Sequence, residues 1–359
     1  MRNGILYIML YPVSLIYACI TGVRNLFFDV RLFRTNKLSV PVVSVGNITT
    51  GGTGKTPAVM YIARMLQSDG HTVGIISRGY KRSSRGYVVV SDGARIFADA
   101  RKGGDEPVML AHSLPGVVVA VDEKRYRGGK FLIEDYGVDV IVMDDGFQHR
   151  ALSRDLDIVL INASRPDHLR AHLPAGRLRE RLRSLRRADL VIMSNYNGEE
   201  MLRSTEQLLR RYTTVPVVGS GIKPVDCIDV VRNSEVPIQS VVTKKAYLFT
   251  GIAEPGKFRR TVNEAGITIG GMRDYPDHYH FNERDMDVLF DEARRSGADL
   301  LLTTEKDAVR LHPYKHLFNE NIPLYALKVS FTMTQDDNKV LEKYLYRMMN
   351  KYKRSITMN

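Results

Sequence analysis

The sequence predicts an α/β fold: a parallel sheet around a phosphate-binding loop, flanked by helices, with a second, smaller α/β domain and an apolar N-terminal helix that associates with a membrane. Three observations predict it. Apolar runs suited to buried strands alternate with helical stretches. A glycine-rich loop ending in Gly54-Lys55-Thr56 joins the first such strand to the first such helix. Residues 4–23 form a run of 20 without a formal charge.

Length and composition set the bounds. The chain has 359 residues, 44% hydrophobic and 26% charged, enough for two domains at roughly 150 residues each. That excludes wholesale disorder, a collagen-like repeat and a polytopic membrane protein. Lys plus Arg is 52 against 40 Asp plus Glu, giving a formal net charge of +12. Such a surface favours anionic partners: nucleic acid, phosphorylated ligands or an acidic leaflet. The two cysteines, Cys19 and Cys227, permit no disulfide framework and no cysteine zinc cluster, and the chain reads as a cytosolic-side protein.

The N-terminal run, as a helix, would be about 30 Å long, the thickness of a bilayer core. It could be a secretory signal, since Ile16-Tyr17-Ala18-Cys19 loosely resembles a lipoprotein cleavage site, but the following domain needs intracellular nucleotide. It could span, with Pro12 tolerated mid-run, or be buried in the protein's own core. The favoured reading is a helix lying on or dipping into the surface. Tyr7, Tyr11, Ser14 and Thr21 fall on one face, and Arg2, Arg24, Arg31, Arg34 and Lys37 flank the run where they would meet anionic headgroups.

Buried parallel strands are expected at 40–45, 73–76, 117–121, 138–143, 158–161 and 190–193, with helices at 56–67, 106–112 and 124–136. Around 213–242 short β-prone pieces are punctuated by Pro216, Pro224 and Pro237, which reads as a linker. A second α/β unit follows. Strands are expected at 247–250, 267–272 and 299–302, with a helix after Pro255, another at 283–296 and a fraying helical tail at 343–359. The organisation is therefore 1–37, apolar helix and basic flank; 38–212, phosphate-loop domain; 213–242, linker; 243–359, C-terminal domain.

The loop carries the chemistry. Glycines let backbone N–H groups crowd around phosphate oxygens, and the following helix N-terminus adds partial positive charge. Lys55 reaches the β- and γ-phosphates, and the Thr56 hydroxyl can ligate Mg²⁺. Thr49 occupies the usual first-glycine position, and Gly51-Gly52 is expected to compensate. Asp144, ending a buried strand about 90 residues later, is the partner expected to hold Mg²⁺. The bland alternatives are a turn that binds nothing and a strand-end carboxylate that caps the next turn.

Asp105 opens a predicted helix and could be only its N-cap. His278 lies in Pro276-Asp277-His278-Tyr279-His280, where a loop histidine is more often decoration than catalyst. Eight arginines between 165 and 187 form either a solvated basic face or a docking surface for phosphate-bearing substrate or headgroups. Interleaved aromatics for base stacking are absent there, against a nucleic-acid partner.

Several segments now stand together: 45–57; Ser77-Arg78-Gly79-Tyr80; 104–107; Asp144-Asp145-Gly146-Phe147-Gln148-His149; Leu173-Pro174-Ala175-Gly176-Arg177-Leu178-Arg179-Glu180; Asp277-His278; and Thr304-Glu305-Lys306-Asp307. In this order the chain resembles the tetraacyldisaccharide 4′-kinase family, which phosphorylates the lipid A precursor of Gram-negative bacteria. The likeness covers nearly the whole chain, including the apolar N-terminus. The family also tends to carry Ser or Thr where Thr49 stands; Arg181 departs from a frequent proline.

The resemblance implies an ATP- and Mg²⁺-dependent two-domain kinase on the cytoplasmic face of the inner membrane, acting on a lipid disaccharide at an anionic surface, without nucleic acid. It implies an ATP loop of Thr49, Thr50, Gly51, Gly52, Thr53, Gly54, Lys55 and Thr56, metal ligation by Thr56 and Asp144, and a catalytic pair of Asp105 and His278 alongside Lys55. Tyr80, Asp145, Gln148, His149, Arg177 and Glu180 would lie near the substrate. Because the pair straddles the two domains, closure is expected to assemble the site. The rival from another class is a partition-type ATPase that organises membrane or DNA. Its loop carries lysine where Thr50 stands here.

Overall fold

The computed structural model describes residues 4–194, 199–318 and 322–357. In chain order the first half runs α1 (Gly4–Asp29), β1 (Val42–Asn47), α2 (Lys55–Ser68), β2 (Val73–Ser77), β3 (Val88–Ser91), α3 (Ala100–Gly103), α4 (Asp105–Ser113), β4 (Val118–Val121), α5 (Arg125–Tyr136), β5 (Val140–Asp144), β6 (Leu156–Asn162), β7 (Leu190–Ser194) and α6 (Glu199–Arg210). The rest follows as β8 (Val217–Asp229), β9 (Ser234–Pro237), α7 (Ile238–Val242), β10 (Lys245–Thr250), α8 (Pro255–Glu264), β11 (Thr268–Asp274), α9 (Glu283–Arg295), β12 (Leu300–Thr304), α10 (Glu305–Leu311), β13 (Leu324–Thr332) and α11 (Gln335–Thr357). Every strand and helix expected from the apolar runs is present.

The strands join in one order, β11-β10-β12-β13-β8-β7-β6-β1-β5-β2-β4-β3, with β9 on β8. Every residue of β1, β2, β4, β5, β6 and β7 is buried. Continuous apolar strands of this kind need helices on both faces, and they have them. On one face α2, α4 and the end of α11 (Leu341, Leu345, Met348) close over β1 and β5. β1 lies between β6 and β5, parallel to both, and Val45 is in register with Asp144. That switch in strand order leaves a crevice at the carboxyl ends of β1 and β5, where open α/β sheets bind ligands.

The stretch read as a linker is itself a strand. β8 pairs parallel with β7 through 217–220 and antiparallel with β13 through 221–229, so it threads both halves of the sheet. Pro224, which has no N–H to give a ladder, sits where the β8–β13 register shifts between Lys328 and Val329. The tail is also longer than expected: α11 starts at Gln335 and returns its apolar side to the first half.

α1 lies against the first half by its C-terminal portion. Ser14 and Ala18 are buried, and Ser14 Oγ accepts from Ala175 N at 2.9 Å. Asn25 donates to Glu180 Oε2 at 2.7 Å, and Arg24 to the Gln148 carbonyl at 2.6 Å. Leu6, Ile8, Met9, Val13, Leu15, Ile16 and Ile20 are exposed. Of the expected polar face, Ser14 docks, Tyr7 and Tyr11 face outward, and Thr21 bonds back to Tyr17 O at 3.0 Å.

Gly46 in β1 shows how tightly the crevice is built. A Cβ there would stand 2.7 Å from Phe147 Cβ and 2.8 Å from Phe147 N. Gly46→Ala must push apart the roots of the phosphate loop and of the 144–149 loop. We expect a loss of about 1–3 kcal/mol in urea unfolding, the usual cost of overpacking, with ATP binding weakened in the surviving fold. Unchanged stability would mean the two loops are not locked together.

Candidate active site

The phosphate loop is pinned at both ends. Asn47 Nδ2 donates to Thr53 Oγ1 at 2.9 Å, and Ser194 Oγ to Thr53 O at 2.7 Å. The segment 177–179 runs alongside: Thr50 N donates to Arg177 O, and Arg179 N to Ile48 O, each at 2.8 Å. Gly51 and Gly54 hold φ of 114° and 81°, which L side chains rarely adopt. Gly54 caps α2 without a side-chain bond, so the first-turn N–H groups remain available to an anion.

Two adjacent carboxylates beside the loop behave oppositely. Asp145 is half-buried; desolvation would raise its pKa, but Lys55 and Arg179 outweigh it and hold the carboxylate below the usual range. Arg179 Nη1 bonds both its oxygens at 2.9 and 2.8 Å, and Lys55 Nζ lies 3.6 Å away. Asp144 is fully buried, and burial, then Glu106 and Asp145, push it up to about 7 despite Lys55. Ser77 donates to its Oδ2 at 2.9 Å, while Oδ1 is buried without a partner. A bound cation would satisfy that oxygen. Among the described residues no cluster of three or more His, Cys, Asp or Glu could hold a metal alone. Mg²⁺ is commonly held by one or two carboxylates plus substrate phosphates, and Thr56, Asp144 and the nearby Glu106 suit that pattern.

The loop after Asp144 is basic. His149 is pushed down to about 4 by burial and by Arg125, Arg154, Arg24 and Arg78, so it is neutral at pH 7. Arg125 is buried with Nε unpaired, and burial and Arg78 lower it to about 10. Gln148 ties the loop to β1 through Nε2 and Asn47 O at 2.9 Å. A pocket of about 470 Å³ opens next to Arg78, with Tyr80, Lys81, Arg82 and Arg85 on its wall.

The second half supplies the other wall. His278 Nδ1 lies 2.8 Å from Asp105 Oδ2. Arg310 Nε and Nη2 donate to the same oxygen at 2.8 and 2.6 Å. All three contacts fall on Oδ2, the same one of the two carboxylate oxygens. Asp105 is not the cap of α4: Gly104 is, and no side chain caps it. Burial would raise the Asp105 pKa, but His278 and Arg310 outweigh it and hold it at about 2. His278 sits at φ 63°, its N bonded to Gly251 O at 3.0 Å. Fully buried Asp307 fixes that turn, accepting from Thr250 Oγ1, Thr304 Oγ1, Gly251 N and Arg310. Lys306 Nζ stands 3.4 Å from His278 Nε2 and 3.6 Å from Glu106.

The residues named from sequence thus fall into groups. Lys55, Asp145 and Asp144 share the crevice at the loop, and Tyr80 packs its ring on His278 at 5.5 Å, near Asp105. Arg177 is exposed and meets the loop through its carbonyl. Glu180 is buried beneath α1, bonded to Asn25 and Arg187. Sequence reading did not single out Arg310, Lys306, Glu106, Arg125 or Arg179 for a role. Arg78, Glu106, Arg179 and Lys306 lay inside quoted motifs; nothing in the pattern marked Arg310 or Arg125.

The family model described as tetraacyldisaccharide-1-P 4'-kinase matches residues 6–350. A tetraacyldisaccharide 4'-kinase of Chlorobaculum tepidum is 41% identical over 87% of this chain and 88% of its own. One of Chlorobium phaeovibrioides is 37% identical over 95% of this chain and 97% of its own. The crystal structure of LpxK from Aquifex aeolicus in complex with ATP superposes with a TM-score of 0.79 at 33% identity, covering 96% of this chain and 99% of that one. With the phosphate loop, the paired carboxylates and the Asp105–His278 contact in one crevice, the chain belongs to the tetraacyldisaccharide-1-P 4'-kinase family.

Proposed function

We propose that this chain transfers the γ-phosphoryl group of ATP to the 4′-hydroxyl of a tetraacyldisaccharide 1-phosphate, at the cytoplasmic face of the inner membrane. The observation that carries the reading is the 2.8 Å contact between Asp105 and His278, made across the two halves beside the phosphate loop. A sugar hydroxyl does not ionise at pH 7, so a group must take its proton as the bond to phosphorus forms. Asp105 offers Oδ1 for that. Held at about 2, it is a weak base in the ground state, yet it is always deprotonated and ready. Phosphoryl transfer passes through a loose transition state, in which the proton moves late and a weak, well-placed base suffices. His278 orients Asp105 and shares the proton. Lys55 and the α2 N-terminus bind the phosphates. Thr56 and Asp144 would hold Mg²⁺, which neutralises phosphate charge when bound.

Neutral His149, with Arg78 and Arg125 beside it, suits a sugar phosphate without adding a further cation of its own. α1 supports a surface position rather than a span. Bonds at Ser14, Arg24 and Asn25 tie one side of the helix to the body, while Leu6, Ile8, Met9, Leu15, Ile16 and Ile20 face outward along the other. The direct test supplies the protein with ATP, Mg²⁺ and a disaccharide 1-phosphate lipid. A second phosphate at the 4′ position is expected; ATP hydrolysis without a phosphorylated lipid would overturn the reading.

Lys55→Ala and Asp144→Asn should each lower kcat by about a hundredfold or more, since both remove charge acting on the transferring group. They should part company in stability. Asp144 rises from 3.8 to about 7 on folding, so the native state holds its proton more tightly than the unfolded chain. Stability it contributes is present below pH about 4 and is lost as pH rises through 7. Asp144→Asn should therefore raise Tm at pH 8 in EDTA and leave it unchanged near pH 4. Equal Tm at both pH values would show that the carboxylate is not strained.

The pair Asp105 and His278 should behave as a unit. Each alanine variant should lower kcat strongly, and the double variant should be little worse than the poorer single one. ATP affinity should change much less, because neither residue belongs to the loop. Additive losses in free energy would refute the unit. So would a His278→Ala variant whose KM for lipid rises with kcat intact.

A further inference from the structure

A second pocket, of about 570 Å³, lies at the far end of α1, outside the crevice. Arg31, Arg34 and Arg150 line it, with Phe28, Phe33 and Asp29. Arg150 is already positioned: it donates to Asn25 O and Asp29 at 2.9 and 2.7 Å, and its guanidinium stacks over Phe28 at 5.1 Å. Asp29 is thereby neutralised. Arg31 and Arg34 have no carboxylate in ion-pair range among the described residues. The aromatic wall is packed, with Phe33 edge-on to Phe27 and Phe28 at 5.2 Å each.

Arg31 holds φ 60°, the left-handed position that ends the helix and that glycine would occupy more cheaply. A side chain there costs about 1–2 kcal/mol. The backbone that presents it is fixed: Asn36 N bonds Ala151 O, Ser153 N bonds Asn36 O, and Thr35 Oγ1 bonds Arg150 O. Around the pocket Leu26, Val30, Leu32 and Phe33 are exposed, continuing the apolar side of α1. Unpaired guanidinium groups at the rim of an exposed apolar strip match the boundary between acyl chain and headgroup.

We propose that this pocket binds the phosphodiester of an anionic membrane phospholipid, with Arg31 and Arg34 as its phosphate ligands, the paired Arg150 and Asp29 as its inner wall, and the neighbouring apolar residues against the acyl chains. The inference rests on the membrane-surface reading of α1 and adds a discrete headgroup site to it. Its position matters because Arg150 directly follows Gln148-His149, so the lipid site and the active-site loop share one stretch of backbone.

The test compares the full-length protein with Arg31→Gln/Arg34→Gln and Arg31→Lys/Arg34→Lys in vesicle flotation, using phosphatidylcholine alone and with 30% phosphatidylglycerol. Two basic side chains lost at an anionic surface should weaken binding to the phosphatidylglycerol vesicles about 30-fold in the Gln variant. Binding to neutral vesicles should not change. The Lys variant keeps the charge but not the planar fork, and should also lose most of that preference. Full retention by the Lys variant would replace the site with a diffuse field and overturn the proposal, as would a Gln variant equal to the parent. Two further arms separate sources. A raised KM for the disaccharide substrate in neutral detergent would make the pocket a substrate subsite. Saturation of the pocket by millimolar inorganic phosphate, with no preference for phosphatidylglycerol vesicles, would make it a free-anion site. Either result overturns the assignment to phospholipid. A parent protein that floats with neither vesicle would refute the membrane reading itself, with kinase activity in detergent untouched.

Discussion

The structure turns on one carboxylate oxygen. Asp105 Oδ2 takes the imidazole of His278 and the guanidinium of Arg310, both from the second half of the chain, while Asp105 opens α4 in the first. Lys306 and Glu106 also join the halves, but at 3.6 Å and with more exposed side chains. Removing one partner of a buried ion pair costs about 3–5 kcal/mol, because the other is left uncompensated. Asp105 is therefore a clasp as well as a chemical group. Arg310 makes that dual role workable. With His278 it holds the carboxylate ionised and fixes one of its oxygens. Arg310 is in turn fixed by Asp307, which also fixes the turn that presents His278. The position of the proposed base is set by residues outside the phosphate loop.

The loop side uses the opposite electrostatic arrangement. Asp145 is saturated with cationic partners, whereas Asp144 keeps an unpaired oxygen in a fully buried place. Adjacent residues of one type thus differ in function because of environment alone. Asp145 balances Lys55 and Arg179 before nucleotide arrives; Asp144 remains poorly compensated. Burial without a partner is a cost that a bound cation would relieve at Asp144. The disparity follows from backbone geometry: Asp144 is the last residue of β5, and Asp145 turns away at φ 51°.

Fully apolar strands and the glycine loop were legible because each is local. A run buried on both faces needs no partner to be recognised, and Gly-Lys-Thr after a strand has few other uses. β8 was not legible. Its burial is mixed, Pro224 interrupts it, and half of its ladder is formed with β13, about 100 residues later. Pairing at that separation leaves no trace in a local window. The site divides in the same way. Asp105 and His278 were found through motifs, although a helix-capping role for Asp105 was open until Arg310 appeared beside it. Arg310 sits on an ordinary helical turn, and only folding brings it to Asp105. Glu180 shows the converse: its motif suggested substrate, and its carboxylate lies beneath α1.

That last placement links anchor and chemistry. Glu180 closes its motif next to Arg179, which holds Asp145, and it receives Asn25 from α1. Arg24 and Arg150 tie the same helix to both ends of Gln148-His149-Arg150. A helix whose apolar side faces outward while its other side bonds to the active-site loop cannot shift without moving that loop. The acceptor of the family is itself an acylated disaccharide. Depth and tilt of α1 would then set the height of the crevice above the surface. The bonds at Ser14, Arg24 and Asn25 suit that arrangement, since a body held close to the headgroups could reach a sugar presented at the surface.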